Sequence, residues 1–314
     1  MHADPVDIPD RSWIDRAAPA PARPYLRLMR LDRPIGTWLL LLPCWWGLAL
    51  AAGATRQPAG AVWADLWPAA LFGLGAVLMR GAGCTVNDVL DRDFDAKVAR
   101  TRTRPIPSGA VNVAQALGFL VALLLASLVV LLQFNRATIA LGIASLLLVF
   151  PYPLMKRVTW WPQFFLGLTF NWGALMGWSA VAGGFDVAAL GAPLALYAAG
   201  ICWTLGYDTI YAHQDTADDA LIGVKSTARL FGTASRRWIA GFYGATMLLL
   251  VVAAELAGLG RFYLLPYAAA AAQLAWQVAR LDPDAPHDCL AKFKSNRGFG
   301  LLVLAGLVLG GLVP

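Results

Sequence analysis

Runs of about twenty apolar residues, the length a helix needs to cross a bilayer, recur along almost the whole of this 314-residue chain. We read nine of them, near Pro34–Gly53, Trp67–Val86, Ala114–Leu132, Ala137–Leu154, Trp160–Ala182, Ala188–Tyr211, Trp238–Leu259, Phe262–Ala279 and Phe299–Val313. Hydrocarbon offers no water to backbone amides, so such segments must satisfy their own hydrogen bonds as helices. Composition agrees: 59% of residues are hydrophobic and 14% charged, against about a quarter charged in soluble domains. The expected fold class is an all-α integral membrane protein, a bundle of nine transmembrane helices. Residues 30–314 would form one domain and residues 1–29 a cytoplasmic tail.

The basic residues test the count, because Lys and Arg collect on the cytoplasmic side of a membrane protein. The tail carries Arg11, Arg16, Arg23, Arg27, Arg30 and Arg33, and the second connection Arg92, Lys97, Arg100, Arg102 and Arg104. Lys156 and Arg157 fall in the fourth, Lys225, Arg229, Arg236 and Arg237 in the sixth, and Arg280, Lys292, Lys294 and Arg297 in the eighth. The odd connections hold only Arg56, Arg136 and Arg261. This alternation predicts an N-terminus in the cytoplasm and a C-terminus outside. It also assigns the net charge of +6 to chain orientation rather than to nucleic acid. Tail residues Asp4, Asp7, Asp10 and Asp15 argue against a mitochondrial transit peptide, so a multi-pass protein of a bacterial inner membrane is expected. Residues Tyr25 to Met29 could lie on the membrane surface. Cys44, Cys84, Cys202 and Cys289 show no metal-ligand spacing and read as packing residues. Trp45, Trp46, Trp160 and Trp161 read mostly as interfacial belt.

Two acidic clusters stand out. Asn87-Asp88-x-x-Asp91-x-x-x-Asp95 ends the second span; if helical, it places Asp88, Asp91 and Asp95 at i, i+3 and i+7 on one face. Asp208, Asp215 and Asp219, at i, i+7 and i+11, end the sixth. Four spans separate them, which returns the chain to the same side and suggests a duplicated unit. Stacked carboxylates at membrane depth repel one another and each costs about 2.5–3.5 kcal/mol, so a cation must offset them. Carboxylates without His or Cys suit a hard ion such as Mg²⁺ with phosphate oxygens. Arg92, Arg100, Arg102 and Arg104 follow the first cluster, Lys225 and Arg229 the second, and Tyr152, Lys156 and Arg157 lie in the loop between them, as a diphosphate leaving group requires. Arg92, Lys156, Arg157, Lys225 and Arg229 also have a plain topological role, and His213 has no second His nearby.

With these motifs the chain resembles the UbiA superfamily of aromatic prenyltransferases, from Arg30 to Asn296. Asn87-Asp88-x-x-Asp91-x-x-x-Asp95 resembles that family's first aspartate-rich motif and Asp215-x-x-x-Asp219 the second. Arg33-Pro-Ile-Gly-Thr-Trp38, Tyr152-Pro-Leu-Met-Lys156-Arg157 and Ile222-Gly-Val-Lys225 are similar to members that prenylate 4-hydroxybenzoate in ubiquinone synthesis. The resemblance implies a lipid-embedded enzyme that takes polyprenyl diphosphate and 4-hydroxybenzoate as substrates. Asn87, Asp88, Asp91, Asp95, Asp215 and Asp219 would hold Mg²⁺, and Arg92, Lys156, Arg157 and Lys225 would contact phosphate. Asp88, Asp91, Asp208 and Asp215 are the expected catalytic residues, with Asp208 or a clustered Asp receiving a proton. Arg33 or Arg157 would grip the acceptor carboxylate. Gly73, Gly75, Gly81 and Gly83, and Gly167, Gly173 and Gly177, would allow close helix packing or a lateral opening. A related enzyme with another acceptor shares this chemistry; an ion-coupled carrier would place its acids nearer the midplane.

Overall fold

The computed structural model describes residues 12–55, 62–96, 101–184, 186 and 189–312. Asp4, Asp7, Asp10, Arg11, Arg56, Lys97 and Arg100 lie outside the described residues. The regular elements of the described residues are helices: α1 (Trp13–Ala17), α2 (Arg23–Leu28), α3 (Ile35–Ala54), α4 (Val62–Asp95), α5 (Val113–Leu131), α6 (Arg136–Val149), α7 (Tyr152–Val158), α8 (Pro162–Ala182), α9 (Gly191–Ala212), α10 (Thr216–Ile222), α11 (Thr227–Phe231), α12 (Ser235–Leu256), α13 (Leu264–Arg280) and α14 (Pro286–Leu312). Six stretches among the described residues, rather than the expected nine, are long and apolar enough to cross a membrane: Ile35–Ala54, Leu66–Asp93, Val113–Leu131, Arg136–Val158, Thr227–Leu256 and Pro286–Leu312. The expected spans missing from this set coincide with α8, α9 and α13. In α8 and α9 the polar residues Gln163, Asn171, Ser179, Thr204 and Thr209 face protein and are buried; α13 has only 17 residues.

Local chemistry sets the helix ends. Asn112 caps α5 reciprocally, accepting from the Gln115 amide at 2.8 Å while its own amide donates to Gln115 Oε1 at 3.0 Å. Asn135 caps α6 through the Thr138 amide and donates its Nδ2 to Ser179 O at 2.8 Å, tying α6 to the end of α8. A segment expected as one span, 137–154, is interrupted at Phe150–Pro151 between α6 and α7, because proline lacks the amide that would continue the ladder.

The chain forms two compact units, Met1–Trp38 with Gly73–Gln133, and Leu39–Phe72 with Phe134–Pro314. In the first, Leu28 from α2 joins Ile106, Val111 and Ala116 in a buried cluster, with Tyr25, Val89 and Phe119 packed against it. Met29 joins Ala82 and Leu123 in a second cluster. The 25–29 stretch, expected as a surface-lying segment, therefore spends much of its apolar surface on protein. Of the glycines expected to allow close packing in α4, Gly81 does so: a Cβ there would stand 2.8 Å from Met29. Gly73 and Gly83 have nothing within 4 Å.

In the second unit α3 and α8 meet backbone to backbone. A Cβ on Gly47 would lie 2.2 Å from Ala174 O, and one on Gly177 2.1 Å from Cys44 O, the small-residue contact that substitutes for hydrophobic driving force in lipid. Trp46, expected among the belt residues, is 1% exposed. It packs on Trp203 at 5.0 Å and donates its Nε1 to Gly300 O at 2.8 Å; the buried indole N–H has found a partner, which frees it from the interface.

Candidate active site

The first acidic motif is helical to its end, since α4 runs through Asp95, but its carboxylates have different surroundings. Asp88 is fully buried. Its Oδ1 accepts from Arg30 Nη2 at 2.6 Å and lies 3.6 Å from Arg104 Nη1. Asp95 accepts from the same Arg104 nitrogen at 2.7 Å. Thr101 Oγ1 donates to the Asp95 carbonyl at 2.9 Å, and the Arg104 amide donates to Thr101 O at 2.9 Å. These bonds hold the 101–104 turn against the end of α4 and deliver the guanidinium. Asp91 is half-buried, and Arg92 is exposed beside Asp93 at 3.4 Å.

Arg30 is the only non-glycine with positive φ among the described residues, at 60°. An L-residue there carries about 1–2 kcal/mol of strain, and the buried pair with Asp88 is what holds it. Arg33 lies 3.4 Å from Asp32. Within the apolar run of α4, Arg80 sits against Gly36, where a Cβ would fall 2.5 Å from its Nε. A guanidinium at this depth is expensive unless it serves a function. Arg30 and Arg80 were absent from the expected site residues, and Arg104, expected beside the first cluster, had no assigned role. The signal for Arg80 was its charge inside an expected span and that for Arg104 its place just after the first cluster; no sequence signal pointed to Arg30 pairing with Asp88.

The second motif lies in the other unit, and it is not one continuous α-helix as the spacing assumed. Asp208 sits in the last turns of α9, Asp215 closes a 3₁₀ turn (His213–Asp215), and Asp219 lies in α10. Gln214 Nε2 donates to Tyr211 O at 3.0 Å and Thr216 Oγ1 to His213 O at 3.4 Å, side-chain bonds that compete with the helical ladder. The helical phase therefore changes between Asp208 and Asp219. Burial lowers the His213 imidazole below its ordinary value against an opposing effect of Asp284.

Three of the expected basic residues are assembled around this second motif. The Lys225 amide donates to Lys156 O at 2.9 Å and its Nζ to Val158 O at 3.1 Å, so the segment after α10 lies along the end of α7, which also carries Arg157. Tyr152 opens α7. Arg229 donates to the carbonyls of Val224 and Asp219, the latter at 3.3 Å, and stands 5.3 Å over the Trp160 ring. Lower down, Asn171 donates to Thr204 Oγ1 at 2.8 Å and Thr204 to the Tyr207 hydroxyl at 3.2 Å. This buried chain fixes the turn of α9 that carries Asp208.

Residues 40–305 match the UbiA prenyltransferase family. The chain belongs to that family. This UbiA-family chain is 54% identical over 303 residues to a 4-hydroxybenzoate polyprenyltransferase, mitochondrial, of Bos taurus, covering 95% of itself and 78% of the relative. It is 51% identical to the enzyme of that name from Arabidopsis thaliana, covering 98% and 74%, and 52% identical to that from Homo sapiens, covering 94% and 77%. A UbiA homolog from Aeropyrum pernix K1 shares the fold at TM-score 0.72 and 24% identity, with 87% of this chain and 97% of that one covered. A UbiA homolog from Archaeoglobus fulgidus bound to GPP and Mg²⁺ matches at TM-score 0.63 and 18% identity, over 91% and 99%.

These names overturn the expected bacterial inner membrane: the relatives point to the mitochondrion. The expectation leaned on acidic residues in the tail, whereas a targeting segment is chemically separate from the membrane-embedded domain, whose residues carry no address. The multi-pass membrane character stands.

Proposed function

We propose that this UbiA-family protein transfers a polyprenyl group from polyprenyl diphosphate to the ring carbon ortho to the hydroxyl of 4-hydroxybenzoate, a step of ubiquinone synthesis, with Mg²⁺. The observation that carries this reading is identity above 50% to enzymes of that name across almost the entire chain, both acidic motifs included. Supporting it, residues 30–314 are read as one catalytic domain and 1–29 as a tail. The Lys/Arg alternation favours nine spans, with both motifs at the membrane face that the N-terminus occupies.

The donor set at the first motif fits a hard divalent ion. It is all oxygen, and Asp95 already holds a cation, the Arg104 guanidinium. Among the described residues no three acidic, His or Cys side chains converge, which suits an ion that takes one or two carboxylates and completes its shell with phosphate and water. Asn87, Asp91 and Asp95 would hold such an ion at the first motif, and Asp215 and Asp219 are the candidate ligands at the second. A Mg²⁺ held there would supply neutralisation of the charge on the departing diphosphate.

Lys156 and Arg157 on α7, with Lys225 from the segment after α10, grip phosphate oxygens and orient the allylic C–O bond for ionisation. That bond breaks with its electron pair leaving on the diphosphate. The ring carbon ortho to the phenol forms the new C–C bond, and the ring proton passes to a carboxylate, with Asp208 the nearest expected base by role. Arg80 supplies a cation inside the apolar run, where the acceptor carboxylate needs a planar, two-pronged donor; Gly36 leaves the space for it.

Membranes containing the protein, given radiolabelled 4-hydroxybenzoate, polyprenyl diphosphate and Mg²⁺, should yield a labelled prenylated product, and EDTA should stop it. No product, or transfer only to a different aromatic acceptor, would refute this reading.

A further inference from the structure

Asp95 and Asp88 share one guanidinium. Arg104 Nη1 is 2.7 Å from Asp95 and 3.6 Å from Asp88, and the three side chains are 16%, 11% and 0% exposed. Asp88 has a second cation, Arg30, at 2.6 Å on the same oxygen. Asp88 is thus held by two arginines, while among the described residues Arg104 pairs with Asp95. We propose that Arg104 is an internal counter-ion, a positioning residue that occupies Asp95 in the metal-free protein and yields it to the divalent cation, remaining tethered to Asp88. This deepens the proposed function and rests on the metal reading of the first motif.

The physical case is competition. A carboxylate oxygen engaged by a guanidinium in a charge-assisted bond must give up that bond before its lone pair meets a metal ion. The 101–104 turn, anchored by Thr101 on the Asp95 carbonyl, fixes Arg104 within reach of both acids, so a small rotation moves it from one to the other without leaving a charge uncompensated. Asp88 accordingly serves as the resting point for the displaced guanidinium rather than as a metal ligand. The geometry separates it from that role: its side chain is enclosed, with Arg30 on its Oδ1. Once displaced, the Arg104 guanidinium is a planar cation of the kind that pairs with phosphate oxygens. Metal and diphosphate then favour one another's binding, each removing the other's competitor.

The test is metal affinity without substrate. Full-length protein in detergent is titrated with Mn²⁺, and free ion is followed by its electron paramagnetic resonance signal, for the wild type, Arg104→Lys and Arg104→Gln. Arg104→Gln should bind Mn²⁺ more tightly than the wild type by a factor on the order of ten, the size of one charge-assisted hydrogen bond removed from the competing state. Arg104→Lys, with a more compact charge, should fall between. A merely structural Arg104 predicts the opposite sign, since loosening the loop weakens the site. Equal or weaker binding by Arg104→Gln, in a variant that melts cooperatively, overturns the proposal. If Arg104→Gln does not fold, equal or weaker binding by Arg104→Lys overturns it in the same way. Absence of any saturable Mn²⁺ binding by the wild type overturns the metal reading itself, and the proposal with it.

Discussion

Arg30 reaches across 58 positions of sequence to place its Nη2 2.6 Å from the fully buried Asp88, and it does so from a left-handed backbone conformation at φ 60°. A strained residue, a buried charge and an aspartate-rich helix end are joined in one contact.

Replacing Asp88 with Asn should destabilise the protein by about 3 kcal/mol or more, because it strands the buried Arg30 guanidinium. Thermal unfolding in detergent checks this; a melting curve unchanged from the wild type would mean that the pair carries no weight.

Backbone strain at the same site gives a separate outcome. Arg30→Gly and Arg30→Ala both delete the ion pair, but glycine accepts positive φ and alanine does not. The glycine variant should be the more stable of the two by about 1 kcal/mol, the reverse of their order inside a helix.

The α3–α8 contact predicts position-dependent glycine substitutions. Gly47→Ala or Gly177→Ala drives a methyl group to within 2.2 Å or 2.1 Å of a carbonyl oxygen and should cost about 1–3 kcal/mol or more from overpacking. Gly83→Ala, with nothing within 4 Å, should be neutral or gain up to about 1 kcal/mol from helix propensity. Comparative melts of the three variants decide it.

Trp203 donates its indole N–H to Asn296 Oδ1 at 2.8 Å, and Gln277 and Tyr243 extend the same network, their own bond being 2.7 Å. Asn296→Leu should leave that buried N–H unsatisfied, at about 1–3 kcal/mol. The indole emission of the variant should shift as well; an unaltered spectrum and melt would contradict the assigned bond.

Asp91→Ala and Asp215→Ala should each reduce prenyl transfer by about 10²–10³-fold, the range for loss of one transition-state electrostatic contact, while the protein still inserts in membranes. Radiolabel transfer with matched protein amounts measures this; near-normal turnover in either variant would remove these acids from the metal site.

The helical class was legible because hydrophobicity over twenty residues is a local property, and the acidic motifs because their spacing is short. The Trp46 reading failed because an indole belongs to the interface or to a core according to whether its N–H meets a partner, here Gly300 O, 254 positions away. The continuous second motif failed because Gln214 and Thr216 take carbonyls that the helical ladder needs, a competition that periodicity does not register. Length and hydropathy alone do not single out α8 and α9 as spans, because helices enclosed by protein tolerate polar residues such as Asn171 and Thr204.

By itself the sequence determined that this chain is helical and membrane-embedded, which residues could carry charge into it, and which family it resembles. Only the tertiary structure decided which arginine meets which aspartate: Arg30 with Asp88, Arg104 between Asp88 and Asp95. The physical reason is range. Apolar runs and carboxylate spacing act within a few turns of one helix, whereas an ion pair needs two groups from distant segments within about 4 Å, and chain folding alone brings them there.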